Sequence, residues 1–210
     1  MKKDILALIS MIIGLILILV SLFGQWYSVS ITNSENETDY SQDSYLTKME
    51  TKGKLFGYDI TNSSSYADAG NFEGKHIFDN TLYLTIGALV ASILAFIALL
   101  GIILHFGKTN TMRKICALFG IITFILAIVT ISYFMVEFTN QAEETASAYS
   151  EISGEETLDI GFWFSKSSEG SKISTGPGYS WYLMIIAGII TLIFPVILLL
   201  KQKPTTKKSS

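Results

Sequence analysis

The stretch 81-TLYLTIGALVASILAFIALLGIILHF-106 decides the fold of this chain. It carries no lysine, arginine, aspartate or glutamate. At about 1.5 Å of rise per residue, some 20 helical residues cross the ~30 Å hydrocarbon core of a bilayer. Water is absent from that core, so a single spanning segment must satisfy its own backbone amides, and a helix does this. Working outward, the runs 5–24, 115–138 and 180–200 have the same character. Four membrane-spanning helices are expected.

Composition agrees. Half of the 210 residues are hydrophobic and only 16% are charged, with the apolar residues gathered into runs rather than spread at amphipathic spacing. Met1-Lys2-Lys3 resembles the charged start of a secretory signal. The run that follows is longer than the about 7–15 residues of such a signal, and Ser21-Leu22-Phe23-Gly24-Gln25 offers no small-residue cleavage site. A retained helix is the reading.

Four spans put both termini on the same side as the turn 107–114. That side holds Lys2, Lys3, Lys108, Arg113, Lys114, Lys201, Lys203, Lys207 and Lys208 against Asp4, a net of +8. The opposite side, loops 25–80 and 139–179 together with Glu137 at the helix end, has six lysines against 17 acids, a net of −11. Lysine and arginine near span ends stay cytoplasmic. The chain reads as a multi-pass protein of the cell membrane with a short cytoplasmic N-terminus (1–4), a basic cytoplasmic tail (201–210) and both termini inside. Trp26, Trp163 and Trp181 lie outside the spans or at their outer ends, where amphipathic rings favour the headgroup level.

Within lipid, small residues mark the seams where helices approach closely. Cys116, Gly120, Thr123, Ala127 and Thr130 recur at alternating spacings of four and three. Gly87, Ala91, Leu94, Ala98 and Gly101 fit the same frame, as do Ala7, Ser10, Gly14, Leu17 and Ser21, and Gly188, Thr191 and Pro195. A 3.5-residue repeat implies a left-handed bundle. Gly87, Ala91 and Ala95 offer a competing contact at spacing four, and Pro195 is expected to loosen the last helix.

The outer loops are too long to be plain connectors. Tyr27, Val29 and Ile31 alternate with Ser28, Ser30 and Thr32; Phe56, Tyr58 and Ile60 alternate with Gly57, Asp59 and Thr61; Leu158, Ile160, Phe162 and Phe164 repeat the pattern. Period-two alternation predicts strands with one covered face. The expected fold is a membrane all-α four-helix left-handed bundle carrying a small extracellular antiparallel β-sheet built from both outer loops. Residues 140–150 have helix-compatible composition and extend the third helix beyond the membrane, while the glycines and serines of 165–178 read as a flexible loop.

Four spans, a long first outer loop opening at Trp26, a strand-rich outer surface and a shorter second loop resemble the claudin and peripheral-myelin-protein-like tetraspans. The likeness is one of architecture. The family's Gly-Leu-Trp motif has its nearest counterpart in Gly53-Lys54-Leu55-Phe56-Gly57, and the loops carry no cysteine, the sole one being Cys116 in the third span. The resemblance implies the tetraspan fold, an adhesion or barrier class, and a structural counterpart for Trp26.

No residue set specifies a reaction, and no enzyme activity, cofactor or nucleic-acid partner is expected. His76 and His105 lie on opposite sides, and no metalloprotease, phosphate-loop or serine–histidine pattern occurs. Cys116 reads as a packing residue. Glu137, at the outer end of the third span, is the one carboxylate that falls within a span and reads as interfacial and solvated. Glu35, Glu37, Asp39 and Asp43 stand at relative positions 1, 3, 5 and 9 of a calcium-type loop, but Tyr40 and Leu46 replace its glycine and its closing glutamate, so an acidic, mobile loop is expected and no metal. Asn36-Glu37-Thr38 and Asn62-Ser63-Ser64 are glycosylation sequons on the outer side. The basic tail serves topology or contact with anionic lipid. Two functions remain open: an interaction, adhesion or envelope-organising protein acting through its outer domain on itself or on a membrane-protein partner, and an oligomeric, cation-preferring channel or barrier.

Overall fold

A computed structural model describes residues 2–35, 37–68, 74–106, 108–153, 162–168 and 170–200. Asn36, the 158–161 half of the third strand pattern and the basic tail lie outside these residues. Ten elements follow one another: α1 (Lys2–Phe23), β1 (Gln25–Asn33), β2 (Thr38–Tyr45), β3 (Lys48–Leu55), β4 (Tyr58–Ser65), α2 (Lys75–Ile103), α3 (Thr109–Ser153), β5 (Phe164–Ser168), β6 (Ser171–Pro177) and α4 (Tyr179–Leu200). The helices form a ring in which α1 packs on α2 and α4, and α3 packs on α2 and α4.

Ile5–Phe23, Lys75–Ile103 and Thr109–Glu143 are each long and apolar enough to cross a membrane. Over its described side chains, Tyr179–Ile193, the fourth helix is apolar but shorter. Outward-facing Ile5, Ile9, Ile16, Ile97, Ile125 and Ile189 are largely exposed. Such a surface is unfavourable in water and favourable in lipid.

The buried positions repeat every 3.5 residues on each helix. That frame holds Ala7, Met11, Gly14, Ile18 and Ser21 on α1; Thr81, Thr85, Ala88, Ser92, Ala95, Leu99 and Ile102 on α2; Cys116, Gly120, Thr123, Ala127, Thr130 and Phe134 on α3; and Ser180, Met184, Ala187 and Thr191 on α4, with Ile77, Phe78, Ala91, Ala98, Ala117, Ile131 and Gly188 buried beside it. The α3 frame matches the sequence reading. On α2 the seam is wider than the sequence frame: Ala91 and Ala98 of that frame are buried, but Thr81, Thr85 and Ser92 belong to the seam as well, Gly87 and Gly101 are half-buried and Leu94 is exposed. Hydroxyls hide their polarity by returning a hydrogen bond to their own helix: Thr81 donates to the Ile77 carbonyl at 2.6 Å, Thr123 to Phe119 at 2.8 Å and Thr130 to Leu126 at 2.7 Å. Threonine thereby acts as a small apolar residue with an internally satisfied donor.

All six strands form one antiparallel sheet in the order β4-β3-β2-β1-β6-β5, so β1 from the first loop and β6 from the second pair to join the two loops into one sheet. The sheet is larger than the alternation pattern alone predicts. Thr38–Tyr45, in the stretch read as a mobile acidic loop, is strand β2, and Lys48–Leu55 is β3. Phe56 and Gly57 form the β3–β4 turn instead of starting a strand, with Phe56 at φ 50°. The supposed flexible loop 165–178 is the β5–β6 hairpin, closed by Gly170 at φ 75°. Helix α3 continues through 140–150, as its composition predicts.

Candidate interaction surface

The sheet is joined to the helices without slack. Phe23 ends α1 and Gln25 begins β1, while Pro177 ends β6 and Tyr179 begins α4. Gly178 N–H donates to the Trp26 carbonyl at 2.8 Å, tying the two junctions together. Beneath them lies an aromatic cluster. The Trp26 ring meets Phe134 edge-on at 5.3 Å, and Tyr27 lies over Phe138 at 4.0 Å. Phe162 bridges Phe134, Tyr27 and Trp181, and Tyr66 packs on Phe78 at 4.8 Å. Each such pair adds about 0.5–1.5 kcal/mol beyond burial. Burial pushes the Tyr66 phenol up to about 12, partly offset by a hydrogen bond with Ser44.

Trp26 is placed differently from the sequence reading. Its side chain is 0% exposed and its indole N–H donates to the Ser21 carbonyl at 2.7 Å, so it is a core residue. Trp26 is the second residue of β1 and only three beyond the end of α1, so its ring folds back over the last turn of that helix. Trp163 is 54% exposed and meets the half-buried Trp181 at 5.6 Å.

The register sets the faces. Val29, Gln42, Thr51, Asn62, Thr175 and Phe164 form one row, and Ile31, Tyr40, Gly53, Ile60 and Ile173 form the next on the same side. The opposite face carries rows such as Ser30, Ser41, Lys52, Thr61 and Ser174, with Asp43 opposite Glu50. That acidic pair is relieved by Lys48 at 2.6 Å and Lys52 at 3.1 Å from Glu50, whose hydrogen bonds hold its carboxyl below the usual range, and by Gln25 donating to Asp43 at 2.6 Å.

The two sheet edges differ. β5 has five residues with Lys166 at its middle. β4 has eight, and after Asp59 its sequence Ile-Thr-Asn-Ser-Ser-Ser holds no charge and no proline. Tyr58 is 78% exposed, and Thr61, Asn62 and Ser63 are exposed. Proteins commonly blunt free edges with lysine, proline, a bulge or shortness. β5 uses two of these devices, and β4 only the single charge of Asp59 near its start.

The other residues singled out in the sequence are distributed as follows. Asp39 and Asp43 lie on one face of β2, about 13 Å apart at strand rise, too far to share an ion. Glu35 and Glu37 are exposed in the β1–β2 turn, and no group of three or more histidines, cysteines, aspartates and glutamates able to hold a metal occurs among the described residues. Asn62 sits on β4 with its amide 3.4 Å from the Ser64 hydroxyl, the partner residue of its own sequon. Ala91, Gly120, Ala127 and Gly188 are buried and Gly87 is half-buried. His76 and His105 lie at opposite ends of α2.

Strands β2 and β3 escaped the sequence reading because their charges occupy the solvent face and blur the alternation. The faint signal was Tyr40, Gln42 and Ser44 at period two. For β5 and β6 the signal was Glu169-Gly170 between two short serine- and lysine-bearing runs.

No protein-family model matches the chain, and no curated protein matches it. Its class therefore rests on its own structure: three long apolar helices compatible with an integral membrane protein, a fourth apolar helix, and a six-stranded antiparallel sheet mounted at one end of the four.

Proposed function

We propose that this is a four-pass integral membrane protein, with both termini cytoplasmic, whose outer sheet receives a strand from a partner along the β4 edge. The 3.5-residue repeat of buried positions supports a left-handed bundle, and the charge asymmetry supports the orientation. The resemblance to claudin-like tetraspans fits the same architecture. The observation that carries the functional reading is the open β4 edge on a sheet held firmly by the aromatic junction. An exposed edge offers backbone donors and acceptors to an added strand, with specificity left to the flanking side chains. No enzymatic role is assigned. Met11, Ala95, Thr123 and Met184 fill the bundle interior at 0% exposure, so a conducting path would form between copies rather than through one.

The test places a photo-crosslinker at Ser63 on β4 or at Ser167 on β5 in native membranes. Discrete adducts are expected from Ser63 and few from Ser167. Ser63→Lys puts a charge on the edge beside its register neighbour Glu50, so the sheet stays folded while a crosslinker at Thr61 loses most of its adduct. Equal labelling from both edges, or an adduct indifferent to Ser63→Lys, refutes the reading.

A further inference from the structure

At the bundle end farthest from the sheet, an apolar cleft of about 460 Å³ opens between α2 and α3. Ile97, Gly101, Leu104, Phe106, Met112 and Phe119 are among its lining residues. Leu104 and Phe106 stand exposed at its end, and Ile97 carries the cleft onto the outward apolar flank of α2. Beside it run Lys108, Arg113 and Lys114, with no acid anywhere between Asp79 and Glu137. Lys108 and Lys114 are exposed, and the buried Arg113 Nε has no hydrogen-bond partner. Lys108 also immediately precedes α3, whose first turn holds no acid, so the helix adds its own positive end to the same place.

From this juxtaposition we infer that the α2–α3 cleft holds an acyl chain of an anionic phospholipid, whose phosphate is drawn to the Lys108–Lys114 turn. The cleft is continuous with the surface that faces lipid, so a bilayer lipid reaches it sideways. The cleft's apolar lining suits a hydrocarbon chain, and the positive charge of Lys108, Arg113 and Lys114 beside it selects an anionic headgroup over a zwitterionic one. Leucine in place of Gly101 projects into the cleft. A Cβ there lies 3.5 Å from Met112 Sδ, an ordinary contact, so the backbone accepts a side chain.

The inference rests on the membrane-embedded reading, and the two are tested separately. Carbonate washing of membranes examines the first; release of the chain into the supernatant overturns both. Native mass spectrometry of the full chain, purified in detergent and supplied with phosphatidylglycerol and phosphatidylcholine of identical acyl chains, examines the second. Phosphatidylglycerol is expected to be retained preferentially. The preference should fall about fivefold for each charge removed in Lys108→Gln and Lys114→Gln. Gly101→Leu should lose both adducts while Gly101→Ala keeps them. Equal retention of the two lipids, retention of neither, or a preference unmoved by the lysine variants refutes the site while leaving the membrane reading standing.

Discussion

Gly188 marks a close approach of α4 to α3, where a Cβ would lie 2.9 Å from that of Ala127. With Ala127 and Phe124 packed against it there is no room for a branched side chain, so Gly188→Val is expected to destabilise the bundle by about 1–3 kcal/mol. Thermal unfolding in detergent reads this, and an unchanged midpoint would contradict the packing. Tyr66 supplies a pH-dependent counterpart outside the spans. Its phenol ionises at about 12 in the fold against 10.0 when free, because burial disfavours the phenolate. The neutral form is the one that the fold retains. Its contribution is therefore complete below pH 10 and is lost as pH rises through about 12, amounting to about 2–3 kcal/mol. Tyr66→Phe should flatten stability over that window relative to the wild type, and parallel curves would show that the phenol is freely solvated.

Among the elements, the β2–β3 pair depends on Gly53. Its φ of 124° lies where side chains rarely go, and a Cβ there would collide with the carbonyl of Asp39, its diagonal neighbour on β2. Gly53→Ala should loosen β2, β3 and β4 together at a cost of order 1–3 kcal/mol, because β4 reaches the rest of the sheet only through β3. Hydrogen exchange would show this as lost protection in Thr38–Ser65 with the β1–β6 pair intact; protection retained throughout would mean that the strand tolerates the side chain. The same glycine leaves a gap in the row between Tyr40 and Ile60, so the half-exposed side of the sheet is dented rather than flat. The helices answer to a different rule. Small residues and self-bonded threonines let them meet closely, and their large apolar side chains turn outward.

For the molecule as a whole, orientation is the decisive property. Cys116 is buried, so single cysteines introduced elsewhere report topology without interference. Lys172→Cys on β6 should react with an impermeant maleimide in intact cells and Lys114→Cys only after permeabilisation; the reverse pattern would invert the chain. Much of the architecture was legible in the residues. Unbroken apolar runs set the helices, since backbone amides in hydrocarbon have no other partner, and the alternation of β1 and the small-residue frame of α3 were visible as written. The seam of α2 was not, because glycine and alanine occur on several of its faces and only its neighbours fix which of them is inside. Nor were β2, β3, β5 and β6, whose polar residues have no marked periodicity until β1 and β6 pair. The burial of Trp26 was also hidden, since one ring serves equally at a headgroup or in a core. By itself, then, the sequence determined the apolar segments and the side on which charge collects, both being sums over local composition. Tertiary structure alone decided the sheet, its open β4 edge and the cleft beside the lysines, because each exists only where separate elements are packed against one another.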